Sequence, residues 1–69
     1  MKLTNGMRVK AYVSKLDATI IGEVIESNNA TTLLKFISSN DNNMFVKLVK
    51  QMSQYNVRID TNKILQVVK

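Results

Sequence analysis

Alternation of apolar and polar side chains is clearest in residues 7–13 of the chain. The apolar positions fall on one face of an extended backbone and the polar positions on the other: Met7, Val9, Ala11 and Val13 against Arg8, Lys10 and Tyr12. An Asn5-Gly6 pair, typical of a turn, precedes this segment. The pattern predicts a half-buried first strand.

Residues 19–36 are rich in β-branched and apolar side chains, with a polar break at Ser27-Asn28-Asn29. Such a segment predicts two antiparallel strands joined by a tight loop. Gly22 lies inside the first of these strands, where a glycine marks a bend or a close backbone approach. A bent strand paired with its neighbour is typical of small sheets that curl into barrels.

Both faces of this central hairpin carry apolar side chains. One face of its first strand has Ile20 and Val24, and the other has Ile21 and Ile25. A strand covered on both sides fits a barrel wall with a helix or a second subunit packed against its outside.

Residues 41–55 can be interpreted as a helix or as a strand, and the helix is favoured. Asn40 or Asp41 would cap this helix. Its spacing predicts an inner face and an outer face: Phe45, Leu48, Val49 and Met52 inside, and Lys47, Lys50, Gln51 and Gln54 outside. Met44 and Met52 are expected to fill gaps at the edge of the core.

The C-terminal part of the chain returns to alternation. Val57 and Ile59 are expected to point inward from a strand over residues 56–60, and residues 60–63 are expected to form a 3₁₀ turn. Residues 64–68 then form a last strand that pairs with the first. The predicted fold is mainly β with one helix: one domain over residues 1–69, a small five-stranded SH3-like or Sm-like barrel with the helix inserted between strands 3 and 4.

Within that class, residues 22–26 and 33–35 resemble the core signature of Hfq, the family of Sm-like bacterial RNA chaperones. The shared features are a glycine in the second strand, an alternating apolar step, a polar corner, and a return strand of Leu33-Leu34 followed by Lys35. Residues 57–68 resemble the last two strands of that family and the turn between them. The resemblance implies a small barrel.

Several features of Hfq are absent from this chain. Asn28 stands where Sm-like proteins have a corner aspartate, and Ala30 stands where Hfq has an aromatic residue that stacks on a base. The Lys-His pair that reads uridine has no counterpart, since the chain contains no histidine. The N-terminal helix of the family is also missing, and the inserted helix could obstruct ring assembly. We therefore expect the barrel of the family but not its RNA pocket.

The composition narrows the function further. The chain has neither cysteine nor histidine, which excludes zinc fingers, thiol chemistry and imidazole catalysis. Glu23 and Glu26 are expected on opposite faces of one strand, where they cannot act as a carboxylate pair. We expect no enzyme, no cofactor and no metal. A cytoplasmic location is expected, since no signal peptide or membrane-spanning run is evident.

A net charge of +5 favours an acidic partner, of which nucleic acid is the commonest. The strongest candidate cluster is one strand face with two cations and an aromatic ring, which can follow a phosphate backbone and stack a base. Arg58 and Lys63, beside the last turn, are expected either to bind phosphate or to pair with Asp60. The candidate nucleic-acid-binding residues are Arg8, Lys10, Tyr12, Lys35, Lys47, Lys50, Arg58 and Lys63.

Three functional hypotheses follow. The first is a barrel that binds RNA or DNA, with binding that weakens steeply as salt increases. The second is a small module that binds a partner protein through an exposed strand edge or its apolar outer face, as compact regulatory proteins of phages and mobile elements do. The third is a homo-oligomer that buries its two-sided strands by self-association. The net positive charge favours the first hypothesis, the barrel that binds nucleic acid.

Overall fold

The computed structural model of the protein describes residues 2–68. In chain order it contains β1 (Arg8–Val13), β2 (Ala18–Ser27), β3 (Thr31–Ser38), α1 (Met44–Lys50), β4 (Asn56–Asp60), a 3₁₀ turn (Thr61–Lys63) and β5 (Ile64–Val68). All strand pairs are antiparallel and belong to one sheet. The predicted class, mainly β with one helix between strands 3 and 4, is confirmed.

The strand order is β4-β3-β2-β1-β5. The last strand pairs with the first, as the sequence predicted, with Val9 opposite Val67. In this order β4 and β5 are the two edges of the sheet, so its closure into a barrel stays a prediction. Within residues 2–68 no helix is long and apolar enough to cross a membrane.

The core lies against one face of the sheet, which we call the inner face. Its members come from every strand, from the turn after β1 and from the helix: Val9, Ala11, Val13, Leu16, Ala18, Ile20, Val24, Leu34, Val46, Val49, Val57 and Ile59 are buried, and Ile64 and Val67 pack against them. Because its two buried residues belong to this cluster, α1 covers the inner face. The opposite, outer face of the sheet is left free of the helix.

The pairing of β2 with β3 is irregular at two places, beside Gly22 and between Val24 and Glu26. At the first, a Cβ atom on Gly22 would lie 3.1 Å from the Cβ of Leu34 and 3.3 Å from the carbonyl oxygen of Lys35. The predicted close approach at this glycine is therefore present. It lets the backbones of β2 and β3 pack more tightly than any side chain at this position would allow.

The second irregularity is a bulge that overturns one sequence prediction. Glu23 lies opposite Lys35 and Glu26 lies opposite Leu33, two residues away on β3. Residues two apart on a strand share a face, so Glu23 and Glu26 both point to the outer face. The prediction of opposite faces was wrong because one extra residue in β2 changes the alternation.

The start of α1 also differs from the prediction. Neither Asn40 nor Asp41 caps the helix; its N-cap is Asn43, whose Oδ1 accepts a hydrogen bond from the Val46 amide at 2.9 Å. The Asp41 carboxylate instead accepts from the amide of Thr19 at 2.8 Å. Because its carboxylate binds the backbone of β2, Asp41 does not cap the helix, and the helix begins later than expected.

The rotation of α1 differs as well. Val46 and Val49 are its buried residues, so of the predicted inner face only Val49 was right. Phe45, Leu48 and Met52 are more than half exposed, and Met44, expected at the core edge, is 75% exposed. The start of the helix is tied to the β1–β2 turn by Asn43, whose Nδ2 donates to the carbonyls of Leu16 at 2.8 Å and Asp17 at 3.0 Å.

We predict that Gly22→Ala lowers the free energy of unfolding by about 1 kcal/mol or more, because overpacking outweighs the entropy gained by replacing glycine. Of the three obstructing atoms, the Cδ1 of Leu34 can move, but the Cβ of Leu34 and the carbonyl oxygen of Lys35 belong to or adjoin the backbone and cannot rotate away. Urea denaturation measures the change. Gly6 serves as the comparison, since its φ is +91° and nothing lies within 4 Å of a Cβ there. Asn should therefore cost less at Gly6, where it meets only a strained φ, than at Gly22, where it also meets the neighbouring strand; equal losses would contradict the close approach.

We predict that Asn43→Ala lowers the free energy of unfolding by about 2 kcal/mol, because the helix loses its cap and two carbonyls lose their hydrogen-bond donor. Asn43→Asp retains a good cap but places a carboxylate against both carbonyls, so it should also destabilise, by at least about 1 kcal/mol. Urea denaturation and hydrogen exchange at the Val46 amide measure both. The exposed neighbour Asn42→Ala is the control. Full stability of Asn43→Asp would show that the turn contact contributes nothing.

Candidate nucleic-acid interface

Three exposed cations project from the outer face of the sheet. Arg8 on β1 lies opposite Glu23 on β2, and Glu23 lies opposite Lys35 on β3. Lys10 is two residues from Arg8 and lies opposite Ile21. Directly opposed side chains have Cβ atoms about 5 Å apart. The register therefore gathers Arg8, Lys10 and Lys35 in one patch around Glu23, which we call the basic patch.

None of these cations forms an ion pair with a residue in the described part of the chain. Within residues 2–68 the one ion pair joins Arg58 to Glu26, with Nη2 and Oε1 2.6 Å apart. Arg58 also donates to the Thr31 hydroxyl at 3.1 Å. An ion pair between Arg58 and Asp60 was one of the two expectations for Arg58. It was wrong, because the bulge in β2 brings Glu26 alongside Arg58. The charges of Arg8, Lys10 and Lys35 remain available to a ligand.

A groove of about 380 Å³ opens beside Lys10. Ile21 and Leu65 give it apolar walls, and the segment from Ser38 to Asp41 gives it a polar one. Hydrogen bonds hold the polar wall to β2: the Ser39 hydroxyl donates to the carbonyl of Thr19 at 2.7 Å, and the Thr19 amide donates to Asp41. A cation thus stands at the edge of a preformed cavity with both apolar and hydrogen-bonding surfaces.

Other residues that were predicted to bind nucleic acid lie together in a second cleft, of about 170 Å³. Tyr12, Arg58 and Lys63 line it together with Lys15, although they belong to different elements. Acids accompany these groups: Asp60 lines the same cleft, Glu26 binds Arg58, and Asp17 accepts from the Tyr12 hydroxyl at 2.8 Å. The cleft is therefore a region of balanced charge.

Tyr12 is held at the end of the β1–β2 hairpin. Its hydrogen bond to Asp17 raises the pKa of the phenol, and burial and the negative charge of Asp17 raise it further. Asp17 itself occupies a turn with φ of +47°. Tyr12 thus shares a strand face with Arg8 and Lys10, but its ring lines the second cleft and not the groove beside Lys10.

Lys47 and Lys50 do not extend the basic patch. They are exposed on α1, and α1 packs against the inner face of the sheet through Val46 and Val49. Lys35 points from the outer face, so these cations belong to different sides of the molecule.

The sequence reading missed Lys15 and the residues around the groove. Lys15 follows Tyr12 closely in the chain, but its approach to β4 and the 3₁₀ turn requires the folded sheet. Leu65 was expected simply as part of a strand; a shift in the β1–β5 register beside Ala11 leaves it 60% exposed. In the sequence, Leu65 is simply one apolar residue of a strand, and that pattern does not indicate a groove.

Comparison of the chain with models of protein families, with curated proteins and with solved structures gives no match. The resemblance of residues 22–35 to Hfq therefore stays a prediction, and the function must be argued from the residues themselves.

Proposed function

We propose that the protein binds single-stranded nucleic acid, RNA or DNA, through the outer face of its sheet and catalyses no reaction. The observation that carries this proposal is the basic patch: Arg8, Lys10 and Lys35 share one exposed face beside a groove of about 380 Å³. A location in the cytoplasm is part of the same proposal.

The distribution of acids favours this face over the second cleft. In and around the basic patch, three cations accompany two acids, Glu23 and, in the wall of the groove, Asp41. In and around the second cleft, three cations are matched by three acids: Lys15, Arg58 and Lys63 with Asp17, Glu26 and Asp60. Since attraction of a polyanion depends on uncompensated charge, phosphates should gather on the outer face of the sheet.

The dimensions of the patch suit a flexible single strand. Arg8 and Lys10 are about 7 Å apart along β1, and Arg8 and Lys35 are two strands apart, about 10 Å. The groove is within the range of small-ligand sites, about 300–1,000 Å³. An unstacked base can contact Ile21 and Leu65 there, with Ser38 and Asn40 offering hydrogen bonds. Bases in a duplex would first have to be unpaired and unstacked, which costs additional free energy.

Among residues 2–68, no aromatic ring lines this groove. Base stacking on Tyr12 therefore contributes little, and the ion contacts should dominate the affinity. Titration with labelled single-stranded and duplex oligonucleotides at low and moderate salt tests the proposal. Binding to the single strands that falls steeply with salt supports it, and absence of binding at both salt concentrations refutes it.

We predict that Lys10→Gln with Lys35→Gln weakens binding to a labelled single-stranded oligonucleotide at least about tenfold. The slope of log affinity against log salt should become shallower by about 1.4, since each phosphate contact contributes about 0.7 on single strands. Fluorescence anisotropy over a salt series measures both quantities.

The matched control is Lys15→Gln with Lys63→Gln, because it removes the same total charge from exposed positions at the second cleft. This pair should change the affinity by less than about threefold. Equal losses in the two double variants would mean that net charge alone attracts the oligonucleotide and that the patch is not a site.

Glu23→Gln should strengthen binding about twofold to fivefold, because it removes the single acid that repels phosphate within the basic patch. Asp60→Asn makes the same change of charge at the second cleft and should have a smaller effect. The same anisotropy titration compares them. A larger gain from Asp60→Asn would move the site to the second cleft.

A further inference from the structure

The wall of the groove beside Lys10 contains a carboxylate that attraction of phosphate does not explain. Asp41 is exposed and lines the groove, and it takes part in no ion pair within residues 2–68. A negative charge beside Lys10 weakens the attraction of phosphate. The Thr19 amide needs only one acceptor, which an uncharged side chain also supplies. The carboxylate is therefore suited to a part of the ligand that donates hydrogen bonds.

Hydrogen bonds hold this carboxylate in a fixed orientation. Its Oδ2 accepts from the Thr19 amide at 2.8 Å, and the backbone amide of Asp41 donates to the Ser39 hydroxyl at 3.1 Å. No group of residues 2–68 donates to Oδ1. Since an ionised carboxylate has about four acceptor positions, most of them stay open, on both oxygens. Two neighbouring acceptors are thus in place on the wall before a ligand arrives.

We infer that the groove beside Lys10 accepts a guanine base of the bound strand, whose N1–H and N2–H groups donate to the Asp41 carboxylate. The inference rests on the proposed function, because the cations of the basic patch hold the phosphates of that strand. Among the common bases, guanine alone has two adjacent donors on its Watson–Crick edge, and they match the two oxygens of a carboxylate. Hydrogen bonds to an ionised acceptor are also the stronger ones.

The same carboxylate disfavours the other bases. In adenine and cytosine the amino group adjoins a ring nitrogen that is itself an acceptor, and in uracil and thymine a single N–H lies between two carbonyls. Against Asp41, one favourable contact would therefore be accompanied by repulsion between lone pairs. Selectivity arises from this repulsion as much as from the paired contacts to guanine.

The remaining surfaces of the groove suit the rest of the base. Ile21 and Leu65 provide apolar walls for the faces of the ring. The Ser38 hydroxyl and the Asn40 amide lie on the same polar wall as Asp41 and can donate to O6, which adjoins N1 on the guanine edge. Lys10, at the edge of the groove, is left for the phosphate.

The test uses the full chain and a labelled oligothymidylate in which a central thymine is replaced by guanine, hypoxanthine, adenine or cytosine. Guanine should bind about fivefold to tenfold more tightly than thymine, adenine or cytosine. Hypoxanthine, which keeps N1–H and lacks the amino group, should fall between them. The preference should persist as salt lowers every affinity, because the base is uncharged. Equal affinities for all five would overturn the guanine assignment and leave the proposed function standing.

Asp41→Asn separates recognition of the base from charge. Asparagine keeps an oxygen for the Thr19 amide but places a donor where Oδ1 was, so the preference for guanine should disappear. The unsubstituted oligothymidylate should bind about twofold more tightly, since an acid is lost. Urea denaturation and hydrogen exchange at the Thr19 amide verify that the wall is intact. An undiminished preference for guanine in this variant would overturn the role of Asp41.

Glu23→Gln is the matched control, because it makes the same change of charge on the outer face without lining the groove. It should strengthen binding of every oligonucleotide by the same factor and retain the full preference for guanine. Loss of the preference in Glu23→Gln as well would show that charge, and not the carboxylate in the groove, selects the base.

Free guanosine monophosphate identifies the source of the guanine. It should compete at least about tenfold more weakly than the oligonucleotide that contains guanine, because one phosphate meets fewer cations than a strand does. Equal or tighter binding of the free nucleotide would overturn the strand as the source of the guanine, and the proposed function with it. Absence of binding by the nucleotide and by every oligonucleotide would overturn both proposals.

Discussion

The side-chain amide of Asn43 fixes the relation between the helix and the sheet. Its oxygen caps α1 at Val46, and its nitrogen donates to the carbonyls of Leu16 and Asp17 in the β1–β2 turn. One residue therefore sets the place where the helix begins and ties that end to the sheet, while Val46 and Val49 turn the helix toward the core. With α1 held against the inner face, the outer face of the sheet remains open. The basic patch on the outer face therefore stays accessible.

The strands could be predicted because alternation with period two is a local property, and residues 8–13, 56–60 and 64–68 form strands much as expected. The rotation of α1 could not be predicted in this way. Between residues 44 and 52 apolar side chains occur on more than one side of a helix, so periodicity allows several inner faces. The start of the helix depends on a hydrogen bond between Asn43 and Leu16, which are 27 residues apart, and its inner face depends on which side chains reach the folded core. No window of sequence contains that information.

The candidate site shows the same limit. Arg8 and Lys10 share a face because residues two apart on one strand do so, and the sequence suffices for that inference. Lys35 joins them only through the register of β1, β2 and β3. Which cations are compensated depends on a bulge that brings Glu26 to Arg58. A single extra residue in β2 thus decides that Arg58 is paired and Lys35 is not. Bulges leave no reliable trace in a pattern of apolar and polar positions.

The segment from Ser38 to Asn43 joins the groove on the outer face to helix α1. Its first half forms the polar wall of the groove, fixed to Thr19 by Ser39 and Asp41. Its last residue caps α1. Few buried contacts hold the helix beyond Val46 and Val49, so α1 is among the parts of the molecule that open at least cost. The wall of the groove and the cap of the helix thus depend on neighbouring hydrogen bonds of one short segment, those of Ser39 and Asp41 to Thr19 and that of Asn43 to Val46.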